Sequence, residues 1–191
     1  MSKTVHDFTT EIPVWKPYVK PVDLAEASAE QIEALKVTPS NNKVSDYVLV
    51  LAHDVETLKH RSPLFNAVMY NRDGLSRAER ELGAVGASIV NRCIYCAAVH
   101  ASRYNQLTKD EDVIAAVFAD GVDAEIAPRL KAILNFAVKL SKCPSEADAD
   151  DMAALMSAGL GKDEILDLIL STSLFGWANR LMHTLGEPIA G

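Results

Sequence analysis

The stretch Glu81–His100, ELGAVGASIVNRCIYCAAVH, carries two of the three cysteines of the chain and ends on a histidine. On an α-helix, positions i, i+3 and i+7 share a face, so Cys93, Cys96 and His100 form one stripe. Two cysteines with this spacing at a helix N-terminus can close a disulfide, and an imidazole one turn later can accept a proton from the second sulfur. The stretch therefore predicts a dithiol with its own base.

Glu81 joins this group only if the chain folds back. On one straight helix Glu81 would lie about 18 Å from Cys93, at about 1.5 Å per residue. Asn91 and Arg92 are the predicted break, because asparagine is a good helix cap or terminator. A new helix that begins at Cys93 would offer unpaired N–H groups to the sulfurs and favour thiolate. The hypothesis is one site that joins Glu81 to the dithiol and the histidine.

The order Glu-(eleven residues)-Cys-x-x-Cys-x-x-x-His resembles the signature of the AhpD-like alkylhydroperoxidases, within the carboxymuconolactone decarboxylase superfamily. The branch it resembles most is that of the uncharacterised peroxidase-related proteins. The resemblance covers roughly Val48 to Gly186, including SPLFNAVMYNRDGLSRAERELGAV before the motif and FGWANRLMHTLG after it. Arg92 stands where members commonly have glycine. Tyr95 stands where some members carry a second histidine, which therefore has no counterpart here.

This resemblance implies a thiol-dependent hydroperoxide reductase. A thiolate attacks the peroxide and becomes a sulfenic acid, with which a second thiol condenses to form a disulfide. Family analogy makes Cys96 the peroxidatic residue and Cys93 the resolving one. His100 would take the thiol proton, directly or through a water, and Glu81 would orient the imidazole. The spacing agrees, because Cys96 is one turn from His100. A helix N-terminus would instead favour Cys93 as the nucleophile, so the two assignments compete.

Two other functions are alternatives. One is a carboxymuconolactone decarboxylase-like enzyme, although such members generally lack the cysteine pair. The other is a redox-sensing or oligomeric scaffold protein whose disulfide switches binding without turnover. Turnover with a dithiol reductant would fit only the peroxidase. Structural zinc is disfavoured because a CxxC pair and one histidine supply three ligands, and no second cluster supplies a fourth. We therefore expect neither a metal nor a cofactor.

Composition restricts the class of protein and of partner. The chain has 191 residues, nearly half of them apolar, and a formal net charge of −7, which disfavours a nucleic-acid partner. No apolar run reaches the ~18 residues of a membrane span, and the N-terminus lacks the apolar region of a signal peptide. Three cysteines do not make a secreted disulfide framework, so we expect a cytoplasmic protein without membrane contact. The expected partners are a small hydroperoxide and a dithiol reductant or its carrier protein.

The predicted fold class is all-α, because no segment alternates with the period of a strand. We expect an N-terminal arm with a short helix over 1–44, and over 45–191 an AhpD-like helical domain with the CxxC at a helix N-terminus. The arm contains Pro13, Pro17 and Pro21 with interleaved aromatic residues, and it should lie extended against its own domain or a neighbouring subunit. The resemblance and the left-over apolar surface predict a homo-oligomer, a trimer or a hexamer built from dimers.

Local signals predict the helix boundaries. Ser76 and Glu79 form a capping box, which sets the register of the helix that bears Glu81. Gly159 and Gly186 are the expected glycines just past helix ends. The other predicted helices run from Ser28 to before Thr38-Pro39, from about Ser45 to His60, from Ser62-Pro63 to Tyr70, from Cys93 to about Leu107, from Thr108 to before Gly121, from Asp123 through Leu140, from Ser145 to Ala158 and from Lys162 to Leu185.

Overall fold

Helices make up most of the structure, a computed structural model that describes residues 3–36 and 44–191. The helices are α1 (Ala29–Leu35), α2 (Asp46–Leu51), α3 (Val55–Tyr70), α4 (Arg77–Val90), α5 (Ile94–Thr108), α6 (Asp112–Asp120), α7 (Pro128–Ser141), α8 (Ala149–Ser157) and α9 (Lys162–Leu185). A short 3-10 helix, Gly121–Asp123, follows α6, and the strands are β1 (Val14–Pro17) and β2 (Gly186–Ile189). The predicted helical fold class is confirmed.

Helix α4 is the centre of the fold, and α5, α7 and α9 pack around it. Residues 79–88 of this helix are all buried. A Cβ atom on Gly83 would lie 2.8 Å from a methyl carbon of Leu168, and one on Gly86 would lie 2.8 Å from the Cβ of Ala137. The two glycines therefore let α9 and α7 approach the α4 backbone closely. A helix enclosed in this way places its polar side chains inside the protein, where each of them needs a partner.

Arg80 is a fully buried cation that connects α4 to α9. Its guanidinium donates to the carbonyls of Asn71 (2.6 Å) and Asp73 (2.7 Å) and to Oδ2 of Asp167 (2.6 Å). The same Asp167 oxygen accepts the backbone N–H of Leu75 at 2.9 Å. A buried charge is tolerated when it is paired and hydrogen-bonded, so this network holds the turn before α4 against α9.

The two strands join the ends of the chain, and the prediction that no segment forms a strand was wrong. β1 and β2 pair antiparallel over four residue pairs. Trp15 of β1 is buried, and its indole N–H donates to the carbonyl of Met182 at 3.3 Å. A Cβ on Gly186 would lie 2.4 Å from the Trp15 ring, so close contact selects glycine there. Gly186 thus begins a strand in extended backbone and does not end α9 in a left-handed turn. The arm lies against its own domain.

The region before α4 also differs from the prediction. The helix predicted over 45–60 is interrupted after α2, and α3 begins at Val55, where the Asp54 side chain accepts the N–H of Thr57 at 3.0 Å. Pro63 lies inside α3 instead of at its first turn. The aspartate cap precedes the Ser-Pro signal by two helical turns, and the helix that it starts simply continues through the proline. Thr38-Pro39, the predicted end of α1, falls outside the described residues.

Three later helices begin further along the chain than predicted. Thr108 ends α5, with its hydroxyl donating to the carbonyl of Tyr104, and the left-handed residue Lys109 separates it from α6. α7 starts at Pro128, because the residues around Asp123 form the 3-10 helix. α8 is capped by the Asp148 side chain and not by a serine. The starts of α4 and α9 agree with the prediction.

Candidate active site

The chain reverses direction between α4 and α5 at residues 91–93. The Asn91 side chain donates to the carbonyl of Ala87 at 2.9 Å, inside the last turn of α4. Arg92 follows with φ of 52°, a left-handed conformation that glycine adopts without steric cost. This geometry accounts for the glycine common at that position in the resembling family. Cys93 is then the N-cap residue of α5, which lies against α4.

The two thiols of Cys93 and Cys96 are buried and free, with their sulfur atoms 2.7 Å apart. A disulfide needs a separation of about 2.05 Å, so a small movement suffices to form one. Hydrogen bonding from the thiol and backbone N–H of Cys96, with a further contribution from Asn179, lowers the pKa of the Cys93 thiol despite its burial. Burial and the adjacent Cys93 sulfur raise the pKa of the Cys96 thiol well above its usual range. A single negative charge is therefore most stable on Cys93.

Asn179 of α9 is the polar neighbour that supports this pair. It is fully buried, and its amide donates to the Ser88 hydroxyl at 3.2 Å while its carbonyl oxygen accepts from the Asn91 amide at 3.3 Å. These bonds fix the orientation of the Asn179 amide between the end of α4 and the dithiol. Because an amide N–H stabilises a thiolate, Asn179 favours ionisation of the pair.

Glu81 and His100 form a buried pair on the facing sides of α4 and α5. Nδ1 of His100 lies 2.5 Å from Oε2 of Glu81. The other carboxylate oxygen accepts from Nε of Arg77 at 2.8 Å and also contacts Nη2 of that residue. Burial opposes ionisation of Glu81, but the adjacent His100 and Arg77 outweigh it and hold the pKa of this carboxyl below its usual range. The carboxylate is thus ionised and orients the imidazole.

The imidazole occupies a defined position relative to the dithiol. Cys96 and His100 lie one turn apart on α5, and the His100 ring packs edge-on against Phe175 with centroids 4.0 Å apart. In the part of the chain that the structure describes, no hydrogen bond joins the imidazole to either sulfur. Since Nδ1 faces Glu81, Nε2 is the ring nitrogen left for a substrate or for proton transfer.

A cavity of about 280 Å³ opens beside this pair. Glu81 is the one acidic side chain among its described lining residues, which also include His100 and three arginines. Tyr47 connects the cavity to the dithiol, because it lines the cavity and packs in the same buried cluster as both cysteines. Burial raises the pKa of Tyr47 to about 12, although the charge of Arg61 opposes this shift. The phenol therefore stays protonated and can donate a hydrogen bond.

Neither a metal site nor a membrane span is found in residues 3–36 and 44–191. Within these ranges, no three His, Cys, Asp or Glu side chains are grouped so that they could hold a metal ion. None of the helices described is both long enough and apolar enough to cross a membrane.

The four predicted residues lie in one region of the structure. They form two separate contacts, one between Glu81 and His100 and one between the two cysteines. Four other residues of this region were not predicted as site residues from the sequence. Arg77 precedes Glu81 by one turn of α4, so the spacing of ion pairs on a helix could have revealed it. Asn179 of α9 lies in the FGWANRLMHTLG segment that resembles the family, whereas Tyr47 of α2 and Arg61 of α3 have no local signal.

Comparison with solved structures identifies relatives of the same fold. The structure of an alkylhydroperoxidase AhpD core, an uncharacterized peroxidase-related protein from Ralstonia eutropha JMP134, is 28% identical, with 91% of this chain and 90% of that chain covered and a TM-score of 0.77. An uncharacterized peroxidase-related protein from Silicibacter sp. TM1040 is 26% identical, with 89% and 92% covered and a TM-score of 0.73. Both structural similarities extend over nearly the whole chain.

Three further comparisons concern a more distant structure, the curated proteins and the models of protein families. The debrominase Bmp8 is 14% identical, with 88% of this chain and 90% of that chain covered and a TM-score of 0.74, so it shares the fold. No curated protein matches the chain. The model of the carboxymuconolactone decarboxylase family matches residues 56–139, which include the cysteine pair and its buried Glu–His partner. This match and the two peroxidase-related structures support the assignment of the chain to the AhpD-like and carboxymuconolactone decarboxylase superfamily.

Proposed function

We propose that this protein is a thiol-dependent hydroperoxide reductase that uses the Cys93–Cys96 dithiol with His100 and Glu81 as its proton relay. The observation that carries the proposal is the 2.5 Å contact between His100 and Glu81, buried one helical turn from Cys96, whose free sulfur lies 2.7 Å from that of Cys93. Peroxide reduction by thiols needs a nucleophilic sulfur, a second thiol and a proton donor for the leaving oxygen. The site contains a candidate for each of these roles.

In the proposed first step Cys96 attacks the terminal peroxide oxygen. Before attack the dithiol carries one proton, on Cys96, and His100 holds the proton released by Cys93. As the new sulfur–oxygen bond forms, the Cys96 proton passes to the neighbouring Cys93 sulfur. The O–O bond breaks, and the leaving oxygen takes a proton from His100 and departs as an alcohol. Cys96 is left as a sulfenic acid, and Glu81 keeps the imidazole in place throughout.

In the second step the Cys93 thiol attacks the sulfenic sulfur of Cys96. A disulfide forms and water leaves, which protects Cys96 from further oxidation. A dithiol reductant then returns two electrons and two protons by thiol–disulfide exchange, and the reductant itself becomes a disulfide. The position of Cys93 as the N-cap of α5 supports this exchange, because it stabilises the thiolate that leaves when the disulfide opens.

Two kinds of support favour a peroxidase over the other activities of the superfamily. The relatives with 28% and 26% identity are described as peroxidase-related proteins, and one of them as an alkylhydroperoxidase AhpD core. The proximity of the two sulfurs also suits a reaction that ends in a disulfide. A decarboxylation would have no use for that pair.

The test is peroxide turnover by cysteine variants, measured in a Cys143→Ser background because Cys143 is an exposed thiol that would add unrelated oxidation. Cumene hydroperoxide is supplied with dihydrolipoamide or dithiothreitol as the reductant. We expect turnover by the Cys143→Ser protein and none by its Cys96→Ser variant. The Cys93→Ser variant should consume about one equivalent of peroxide and stop at a sulfenic acid, which dimedone labelling and mass spectrometry detect.

Each other result has a defined meaning. If Cys96→Ser retains one oxidisable thiol and Cys93→Ser retains none, the roles of the two cysteines are reversed. If peroxide removes two thiols per chain but no dithiol donor supports turnover, the protein is a redox sensor and the proposed enzyme is wrong.

A further inference from the structure

Arg61 presents unused hydrogen-bond donors at the cavity. Its guanidinium carbon lies 3.9 Å from the centroid of the Phe65 ring and 5.6 Å from that of Tyr47. Ring contacts of this kind occupy the faces of the guanidinium plane and leave its N–H groups free at the edge. In the described part of the chain, no carboxylate forms an ion pair with Arg61, and its buried Nε has no hydrogen-bond partner. The residues outside the description, 1–2 and 37–43, contain no aspartate or glutamate.

Tyr47 adds a second unused donor at the same wall. The residue is 8% exposed, and its hydroxyl has no hydrogen-bond partner of good geometry among the described residues, although the Arg61 guanidinium lies near enough to interact with the phenol oxygen. Buried polar groups normally have one, because leaving a hydroxyl unpaired inside a protein costs free energy. An acceptor that enters the cavity would satisfy this hydroxyl and the Arg61 guanidinium beside it.

The charge of the cavity selects the sign of that acceptor. Three arginines line it, Arg61, Arg77 and Arg103, against the single carboxylate of Glu81. Subtracting one negative charge from three positive charges leaves two positive charges, in a chain whose formal net charge is −7. Arg77 is neutralised by its ion pair with Glu81, whereas Arg61 has no such partner among the described residues. A low-dielectric wall concentrates this positive field and attracts anions.

We propose that Arg61 and the Tyr47 hydroxyl form a carboxylate-binding subsite, so that the substrates of this cavity are organic hydroperoxides that carry a carboxylate group. The guanidinium edge matches the two oxygens of a carboxylate, and the phenol donates to one of them. Tyr47 belongs to the same buried cluster as Cys93 and Cys96, so an acid held there lies at the wall of the cavity behind which the dithiol is buried. That the bound ligand is a hydroperoxide rests on the proposed function, whereas the binding of its carboxylate group does not.

Three matched peroxides test the substrate class: cumene hydroperoxide, its para-carboxy derivative and the methyl ester of that derivative. Cumene hydroperoxide is smaller than the acid and the methyl ester is larger, so size alone cannot explain a preference for the acid. Charge-assisted hydrogen bonds predict that kcat/KM for the acid exceeds kcat/KM for the ester by about 10- to 100-fold. A ratio close to one in the parent protein would overturn the proposal.

Variants then assign the preference to its residues. Arg61→Met should bring the acid-to-ester ratio close to one, mainly through KM, and Arg61→Lys should restore part of it. Tyr47→Phe should lower the ratio by about 3- to 10-fold. Arg72→Met is the matched control, because Arg72 is exposed and does not line the cavity, and it should keep the parent ratio. Equal losses for acid and ester in Arg61→Met would show a structural role and contradict the subsite.

A binding measurement separates this proposal from the proposed function. Para-carboxy cumyl alcohol, which contains no peroxide, should raise the Tm of the parent protein, whereas neutral cumyl alcohol and the Arg61→Met variant should show no such shift. If the acid binds in this way but no peroxide is reduced, the subsite stands and the proposed peroxidase is wrong. If peroxides are reduced without any preference for the acid and the acid gives no shift, the peroxidase stands and the subsite is wrong.

Discussion

Arg80 and Glu81 are neighbours on α4 and are equally buried, yet their surroundings differ completely. Arg80 is 0% exposed and Glu81 is 1% exposed. The Arg80 guanidinium is enclosed by acceptors of the protein itself, including Asp167. Glu81 divides its two oxygens between Arg77 and the imidazole of His100, and both of these side chains line the cavity. One network is closed inside the protein, and the other opens onto a space that a ligand can enter.

This difference shows that burial of a charge does not by itself mark a functional residue. The buried Nε of Arg80 also has no hydrogen-bond partner among the described residues, but Arg80 does not line the cavity, so its network stabilises the fold without facing a ligand there. An open network contains a group that can change its protonation state while its partner remains fixed, which is what acid–base chemistry requires. The same distinction separates Arg80, whose guanidinium donates to acceptors of the protein, from Arg61, which lines the cavity and forms no ion pair among the described residues.

The largest expected effect is on the closed network. Asp167→Asn removes the countercharge of a fully buried guanidinium, which predicts a loss of unfolding free energy of about 3–5 kcal/mol. Urea unfolding measures this loss. Asp163→Asn, an exposed change on the same helix, is the control and should cost less than about 1 kcal/mol through the helix dipole. Equal losses for the two variants would mean that the Arg80 network does not hold α9 in place.

Local rules predicted the start and end of α4 and the extent of α5. The Ser76–Glu79 capping box is present and starts α4, so the face of the helix that bears Glu81 was correctly oriented from the sequence. Asn91 ends that helix, and α5 runs to Thr108, one residue beyond the predicted end. In each of these places the relevant hydrogen bonds join residues that lie within a few positions of each other.

Contacts between distant segments could not be read in this way. The Ser62–Pro63 signal led to a predicted helix start just after Arg61, whereas Arg61 lies within α3 and lines the cavity. Its neighbour Tyr47 belongs to another helix, so only the tertiary packing brings the two together. The strands β1 and β2 are four residues each and pair across almost the whole chain, so neither has a distinctive local pattern.

An intermediate effect is expected on the open network. Glu81→Gln and His100→Gln should lower the rate of peroxide reduction by about 100-fold or more, because the thiol then has no oriented base and must ionise unaided. Raising the pH should restore part of the rate. Glu79→Gln is the matched control on the same helix, since Glu79 pairs with Arg129 away from the cavity, and its rate should stay close to that of the parent. Stopped-flow measurement of thiol oxidation against pH tests all three variants.

A rate loss in Glu79→Gln as large as that in Glu81→Gln would contradict a specific role of Glu81 in catalysis, since it would show that any buried carboxylate on α4 supports the reaction. Glu81→Gln should also destabilise the protein less than Asp167→Asn. The cation left without its partner, Arg77, is 23% exposed at its side chain and can reach water, whereas Arg80 cannot.

The smallest expected effect is the pH dependence of stability that Glu81 itself produces. Its folded pKa lies below the ordinary value of 4.5, because His100 and Arg77 outweigh the effect of burial. A lowered folded pKa means that the unfolded chain takes up the proton first as the pH falls. The contribution of Glu81 is therefore complete above about pH 4.5 and is lost as the pH falls through the folded pKa.

Urea midpoints of the parent and Glu81→Gln, measured between neutral and acidic pH, test this sign. The difference in stability between the two proteins should narrow as the pH falls below about 5, because at acidic pH the parent carboxyl becomes protonated and resembles the amide. The exposed variant Asp163→Asn should show no comparable narrowing. If the parent instead gains stability relative to Glu81→Gln as the pH falls below about 5, the folded pKa of the Glu81 carboxyl is raised and not lowered. The carboxyl would then be a poorer anionic partner of His100, which would weaken the role of the open network in proton transfer.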